Sequence, residues 1–368
     1  MNILFFANPK SVHDRKWMQF IANNPAYKCF LISRKIHEDF DSKKLENIEF
    51  IKPIQDFSIL RFWRSLVGII SIYQIIKRNK IDIFHIIYAE PNALWAIGIR
   101  LYKIPMILTT RGTDVLKAIP GHFKRRSLLQ LIIQKLYKES LNSFSAITCT
   151  SQRQVQSLLD LGIESKYHIV RTGVNVESMM KVKDRKLIEK PYILFPRLMK
   201  PIYNHEFSIE ALSLLTKSIK EMYQVIFLDK DSKEVSYVHK IDKMIKAVEG
   251  LDFLFLNRIN EDELHDLYKN ASLCVMNPVS DGSPVSAMEA MFFNCPLILG
   301  PLDYDSDIFG SITKLESWEP LELAGLIEES LEKSNGSKPN TKKIILEKGN
   351  RSIEMERLCN IYHHISRL

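Results

Sequence analysis

Asp281 and Glu289 stand eight residues apart in the stretch Ser280-Asp-Gly-Ser-Pro-Val-Ser-Ala-Met-Glu289, which then runs on into apolar residues. A strand is predicted over Leu273 to Asn277, a turn over Pro278 to Pro284, and a helix from about Val285. Asp281 therefore lies in a loop, and Glu289 in the second turn of the helix. Gly282 can bring the backbone close to a ligand, and Pro284 suits a first helical turn. The free amides of a helix N-terminus form an anion site. Such amides, flanked by two carboxylates that accept from hydroxyls, suit a molecule with a diphosphate in the middle and polyols at both ends, which describes a nucleotide sugar. A second role is open to Glu289, that of an acid stabilising the helix dipole.

The elements that must position these residues alternate along the whole chain. Strands are predicted at Ile3 to Ala7, Lys28 to Ser33, Ile81 to Ile87, Pro105 to Thr109, Ala146 to Thr150 and His168 to Arg171, with helices such as Asp14 to Asn23, Ser58 to Arg78 and Ser127 to Leu141 between them. Past Gly173 the pattern weakens through a charged stretch read as a linker. It restarts with strands at Tyr192 to Phe195, Gln224 to Asp229, Leu251 to Leu256, Leu273 to Asn277 and Pro296 to Gly300, and helices near Asn204 to Met222, Val235 to Ala247, Glu261 to Asn270 and Val285 to Phe293. Strand then helix, repeated, predicts α/β architecture with two Rossmann-like, doubly wound domains facing a central cleft. The boundaries expected are 1–175, 190–350, and a last helix over 351–368 that crosses back to the first domain. Open parallel sheets bind ligands at the carboxyl ends of their strands.

Bulk properties narrow the class. With 368 residues, two domains are expected, and 46% apolar with 26% charged residues is ordinary for a globular protein. Five scattered cysteines without a Cys-x-x-Cys pair indicate neither a disulfide framework nor a zinc site. The opening Met-Asn-Ile-Leu-Phe-Phe-Ala-Asn-Pro lacks the basic start and cleavage site of a signal peptide, and the apolar run Ser65 to Ile76 is too short to span a bilayer. A cytoplasmic protein is expected. Net charge is +8, and residues 1–180 hold 26 Lys+Arg against 14 Asp+Glu. The basic half suggests an anionic partner, with unselected surface lysine as the plain alternative.

The stretch Asp281-Gly-Ser-Pro-Val-Ser-Ala-Met-Glu-Ala-Met-Phe-Phe-Asn-Cys-Pro296 resembles the signature of the retaining glycosyltransferases of family 4, which have the GT-B fold. The resemblance implies that Asp281 binds the donor sugar, Glu289 the ribose hydroxyls, and the amides around Gly282, Ser283 and Pro284 the sugar or diphosphate. Asp281 departs from the glutamate usual there. Phe195-Pro-Arg-Leu-Met-Lys-Pro-Ile-Tyr-Asn-His205 resembles the segment that supplies cations to the donor phosphates. It puts Arg197 on the family arginine, Lys200 in a shifted place for the family lysine, and Asn204 in a Tyr-Asn variant of the motif. A guanidinium clamps a diphosphate through two hydrogen bonds; a surface charge at a strand end is the other reading of Arg197.

In the first half, Thr109-Thr-Arg-Gly-Thr-Asp114 resembles the loop beneath the donor sugar, with Arg111 in place of a histidine, Gly112 at the turn, and Asp114 open to either helix capping or ligand contact. Gly173 falls on a glycine near the end of the N-terminal domain. His13, beside Asp14, resembles a Ser-x-His element near the acceptor and is equally read as a capping detail. His85 is read as a buried structural histidine. The segments Phe227-Leu-Asp-Lys-Asp-Ser232 and Phe255-Leu-Asn-Arg-Ile-Asn260 lack glycines that the family carries.

The implied catalytic set is Arg197, Asp281 and Glu289, acting on a UDP- or GDP-sugar donor with no cofactor and no metal site. The acceptor expected is a saccharide, lipid-linked, of a bacterial surface polymer. The basic and aromatic stretches Phe57 to Lys80 and Gly121 to Lys138 suit either peripheral contact with an anionic membrane or core packing with a solvated face. Nucleic acid is not expected, for want of a recognition motif. Two alternatives stay open at this point: a sugar-nucleotide epimerase of the same fold, and a non-catalytic GT-B protein that binds a glycan or a partner.

Overall fold

The computed structural model describes residues 1–368 apart from 34–44, 56, 60, 125–126, 184, 229–233, 258, 335–338 and 368, together with the side chains at 62 and 334. Residues 1–172 with 352–368 form one unit and residues 173–351 the other.

The first unit is built on seven strands: β1 (Asn2–Phe6), β2 (Lys28–Ser33), β3 (Ile48–Pro53), β4 (Ile83–Ile87), β5 (Met106–Thr109), β6 (Ala146–Cys149) and β7 (Tyr167–Ile169). Their order is β3-β2-β1-β4-β5-β6-β7, and every pairing is parallel. Runs such as Ile83-Phe-His-Ile-Ile87 are buried throughout, as strands covered on both faces must be. Apolar helix faces fill one side with Ile69, Ile72, Trp95, Tyr137 and Leu158. The other side takes Trp17, Met18 and Ile21 together with Met355, Leu358, Tyr362 and Ile365 of the last helix, Arg351–Ile365.

The second unit carries β8 (Tyr192–Leu198), β9 (Gln224–Leu228), β10 (Asp252–Leu256), β11 (Leu273–Met276), β12 (Leu297–Leu299) and β13 (Thr313–Lys314), in the order β10-β9-β8-β11-β12-β13 and again parallel. Strand order reverses between β1 and β4 in one sheet and between β8 and β11 in the other. Those are the points where doubly wound sheets receive ligands.

At the second switch point the sheet forks. Among the described residues the ladder between β11 and β8 pairs Leu273 with Ile193 and Cys274 with Leu194, and the Ser272 amide donates to the Tyr192 carbonyl at its base. On its other side β8 shifts register against β9 between Phe195 and Leu198. Pro196 sits in that shift and has no amide to give to a ladder. Arg197 follows it, within the irregular end of the strand.

Several elements differ from the sequence expectation. β3 is an additional edge strand, whose exposed Glu49 and terminal Pro53 hide its apolar residues from a search for buried runs. β13 is two exposed residues. The long helix expected over 204–222 is two helices, His205–Ser213 and Lys217–Met222. The expected linker holds the helix Val176–Met180, and Val174 makes a β-bridge to Asn350. The expected strand end at Asp229 and most of the segment after Phe227 fall at 229–233, outside the described residues, as do Arg125 and Arg126.

Candidate active site

Arg197 and Asp281, 84 positions apart, form an ion pair at the fork: Nη2 lies 2.7 Å from Asp281 Oδ2. Both side chains are about four-fifths buried, at 20% and 18% exposed, where a charge-assisted bond is stronger than at the surface. Nη1 donates to Ser286 Oγ. The guanidinium lies over the Tyr203 ring, with Cζ 4.4 Å from its centre. Its Nε is buried without a partner. From behind, His205 Nε2 donates to the Arg197 carbonyl at 3.3 Å. Burial pushes the His205 imidazole down to about 4, against the support of that bond. It is neutral at pH 7.

Asp281 is fixed at its other oxygen, Oδ1, by the Gly282 amide at 2.9 Å. The loop then enters the helix Val285–Phe292, whose N-cap is Pro284 at φ −67 and ψ 118, without a side-chain cap. Its leading amides are therefore open to a ligand. The buried Ser283 hydroxyl makes no hydrogen bond. Glu289, the fifth residue of the helix, is half-buried. Its charge helps raise the Tyr268 hydroxyl, after burial, and helps hold Arg351 protonated, after Glu261 and against burial. Lys200 is exposed and forms no ion pair among the described residues. Asn204, in the left-handed region at φ 53, starts the helix His205–Ser213.

The first unit has a pair of the same kind. Arg111, after β5, donates from Nε to Asp14 Oδ1 at 3.1 Å, with Nη2 3.0 Å away. Its guanidinium stacks on Trp17, 4.4 Å from the ring centre. Burial lowers its pKa and Asp14 opposes the shift. Gly112 turns the loop at φ +105, a conformation open to glycine. Asp114 is fully buried, its carboxylate accepting from the amides of Ala89, Arg111 and Val115. It therefore ties two loops together. His13 is exposed beside Asp14. His85 is buried, its ring hydrogen-bonded on both sides, and burial takes its pKa down to about 3. Gly173, in the second unit, is at φ +61, where an added Cβ would come 2.7 Å from the Arg351 backbone.

Thus Arg197, Asp281 and Gly282 meet directly, and Arg111, Gly112 and Asp114 form one loop with Asp14. Sequence reading passed over Ser286, Tyr203, His205 and Trp17. Their signal was present: Tyr203 and His205 flank Asn204, and Ser286 follows Pro284 by two positions. Asp-x-Asp triplets, a metal-binding pattern absent from the expectations above, occur in the sequence at Asp39 to Asp41, Asp229 to Asp231, Asp303 to Asp305 and Asp305 to Asp307. Among the described residues, no three His, Cys, Asp or Glu converge as a metal site.

Two family models match. Residues 2–151 match the glycosyl transferase 4-like family, and residues 180–310 the glycosyl transferases group 1 family. No curated protein matches the chain in sequence. Among solved structures, a glycosyltransferase of Rickettsia africae superposes with a TM-score of 0.79 at 16% identity, covering 99% of this chain and 98% of that one. HepE of Anabaena, solved with UDP, gives 0.74 at 14% identity, covering 99% and 100%. Sucrose-phosphate synthase of Thermosynechococcus elongatus gives 0.72 at 13%, covering 99% of both chains. At these identities the likeness speaks for the fold, and the family models speak for the chemistry. The chain belongs to the group 1 glycosyltransferases of the GT-B fold and is a glycosyltransferase enzyme.

Proposed function

We propose that the chain transfers a sugar, with retention of anomeric configuration, from a UDP- or GDP-sugar to a lipid-linked saccharide in the synthesis of a bacterial surface polysaccharide. The observation that carries the donor side is the Arg197–Asp281 pair at the mouth of the β8–β11 fork, next to an uncapped helix start. Bond cleavage at the anomeric carbon builds negative charge on the departing diphosphate. Donors fixed beforehand stabilise that charge without reorganising. Arg197 is so fixed, by Ser286, Tyr203 and His205, with Nε still free to donate. Asp281 and Glu289 serve as acceptors for sugar and ribose hydroxyls. HepE, a structural neighbour solved with UDP and glucose, supports this class of donor.

The lipid-linked acceptor rests on the outer faces of two helices in the first unit. Trp63, 80% exposed, with Val67 and Ile70 forms a stripe on the helix Phe62–Arg78, which ends in exposed Lys77 and Arg78 and holds no acid. Leu128, 82% exposed, with Leu131 and Ile132 does the same on Leu128–Asn142, followed by exposed Lys135 and Lys138. Apolar stripes beside basic residues suit an anionic bilayer surface. Among the described residues, no helix is long and apolar enough to cross a membrane, so the contact proposed is peripheral.

Calorimetry with UDP, GDP, ADP and CMP on wild type and Glu289→Ala tests the donor site. One nucleotide is expected to bind and to weaken about tenfold in the variant, the loss of one charged hydrogen-bond acceptor. Binding of none of them, or equal binding by Glu289→Ala, overturns the reading.

A further inference from the structure

The carboxyl end of the first sheet holds more cation than its own acids use. Arg111 spends Nε on Asp14, while its Nη1 is buried with no hydrogen-bond partner. Arg15, beside Asp14, has a buried Nε in the same condition, and so has Nη1 of Arg153. Neither Arg15 nor Arg153 forms an ion pair among the described residues. The acids nearby are occupied: Asp14 by Arg111, Asp114 by backbone amides, and Glu90 faces His122 at 3.9 Å.

The segments that carry two of these cations, Arg111 and Arg153, meet at the head of the nine-residue helix Gln152–Asp160. The Thr110 hydroxyl donates to Gln154 Oε1, which ties the Arg111 loop to the first turn of that helix. Gln154 Nε2 would lie 3.4 Å from a Cβ placed on Gly112. Arg153 is the second residue of the helix, and Ser151 is its N-cap, extended at φ −152 and ψ 157. Ser151 is fully buried, yet its hydroxyl neither caps the helix nor bonds to anything else. Leading helix amides and a buried hydroxyl without a partner thus lie where two segments join, each carrying an arginine with an unused donor. Together they fit a group that accepts many hydrogen bonds and carries negative charge.

We propose that this corner binds an anionic group of the acceptor, a carboxylate or a phosphate, with Arg111 and Arg153 selecting for it. The proposal rests on the transferase reading and names the chemical class of acceptor. An acidic sugar or the diphosphate of a lipid-linked saccharide presents the same oxygens to the same donors.

Full-length wild type, Arg153→Gln, Arg111→Lys and Arg197→Ala are titrated with glucuronate, glucose 6-phosphate, geranyl diphosphate and uncharged glucose, and separately with UDP. Arg153 has no partner to leave behind, so Arg153→Gln is expected to unfold at the wild-type temperature while losing about tenfold in affinity for the anionic probes. Arg111→Lys keeps the charge and loses the planar fork, so it weakens them too. A preference for geranyl diphosphate assigns a lipid diphosphate, and a preference for glucuronate or glucose 6-phosphate an acidic sugar. Wild type that binds no anionic probe, or binds glucose equally well, overturns the proposal. So does anion binding that survives Arg153→Gln and Arg111→Lys but is lost in Arg197→Ala. The UDP arm is read independently: its failure in wild type counts against the donor reading and leaves the acceptor comparison intact.

Discussion

His85 and Tyr362, 277 positions apart, share a buried hydrogen bond of 2.6 Å between ring Nδ1 and the phenol oxygen. Nε2 of the same ring meets Thr109 Oγ1 at 2.7 Å, and Thr109 meets Thr148 at 2.6 Å. The chain of bonds pins the last helix to the middle of the first sheet. Tyr362→Phe leaves a ring nitrogen buried without its partner, at a cost of about 1–3 kcal/mol. Urea denaturation is expected to show a lower midpoint with an unchanged slope. An unshifted midpoint would show the bond to be dispensable.

The same histidine ties stability to pH. His85 is held at about 3 and His205 at about 4, both lowered from 6.5 chiefly by burial. A depressed folded-state value means that the unfolded chain takes up the proton first as pH falls. The contribution is whole above about 6.5 and is lost as pH drops towards the folded values. By pH 5 each histidine is expected to remove roughly 2 kcal/mol. Denaturant midpoints at pH 7.5, 6 and 5 check this; a flat profile over that range contradicts the burial of both rings.

The pair at the fork separates positioning from charge. Arg197→Ala is expected to lower kcat/KM about 10²- to 10³-fold, as loss of a preorganised donor to developing charge does. Ser286→Ala removes one of the groups that hold Arg197 and is expected to cost about tenfold or less, mainly in kcat. Equal losses in the two variants would give Ser286 a direct role with the substrate.

Two glycines distinguish backbone strain from collision. Gly250 has φ +75 and nothing within 4 Å of an added Cβ, whereas Gly173, at φ +61, would meet the Arg351 backbone at 2.7 Å. Gly250→Ala is expected to lose roughly 1–2 kcal/mol, the cost of a left-handed alanine. Gly173→Ala is expected to lose on the order of 3 kcal/mol or more. Thermal unfolding of both variants tests the order, and a reversed order refutes it.

Vesicle sedimentation tests the apolar and basic faces of the first unit. Binding is expected to anionic vesicles, weaker at high salt. Trp63→Ser should reduce it, and so should Lys77→Gln with Arg78→Gln, at about fivefold per charge removed, or ~1 kcal/mol each. Equal binding to neutral vesicles, or none at low salt, removes the membrane from the account.

Much of this was legible in the chain because parallel strands buried on both faces read as unbroken apolar runs, as in Ile83-Phe-His-Ile-Ile87. An edge strand such as β3 carries polar residues and a proline and leaves no such run. The donor loop was legible because its acids, glycine and proline are close in sequence. The grip of Asp281 on Arg197 was not, since it joins the ends of two strands 84 positions apart. Nor was that of Arg111 on Asp14, 97 positions apart. The helix expected over 204–222 breaks between Ser213 and Lys217, where Leu215 is buried in the core, a turn that local propensity does not register.

The fork between β8 and β11 has a mechanical consequence. Past Leu194 and Cys274 the two strands share no ladder pair, and the segments bearing Arg197 and Asp281 are joined across the gap by their ion pair and by the Val279 amide, which donates to the Ile202 carbonyl at 2.9 Å. Parting them to admit a ligand breaks an ion pair that the ligand itself can replace. The ladder pairs below involve neither side chain, so an exchange of partners at the mouth leaves the frame of the sheet intact.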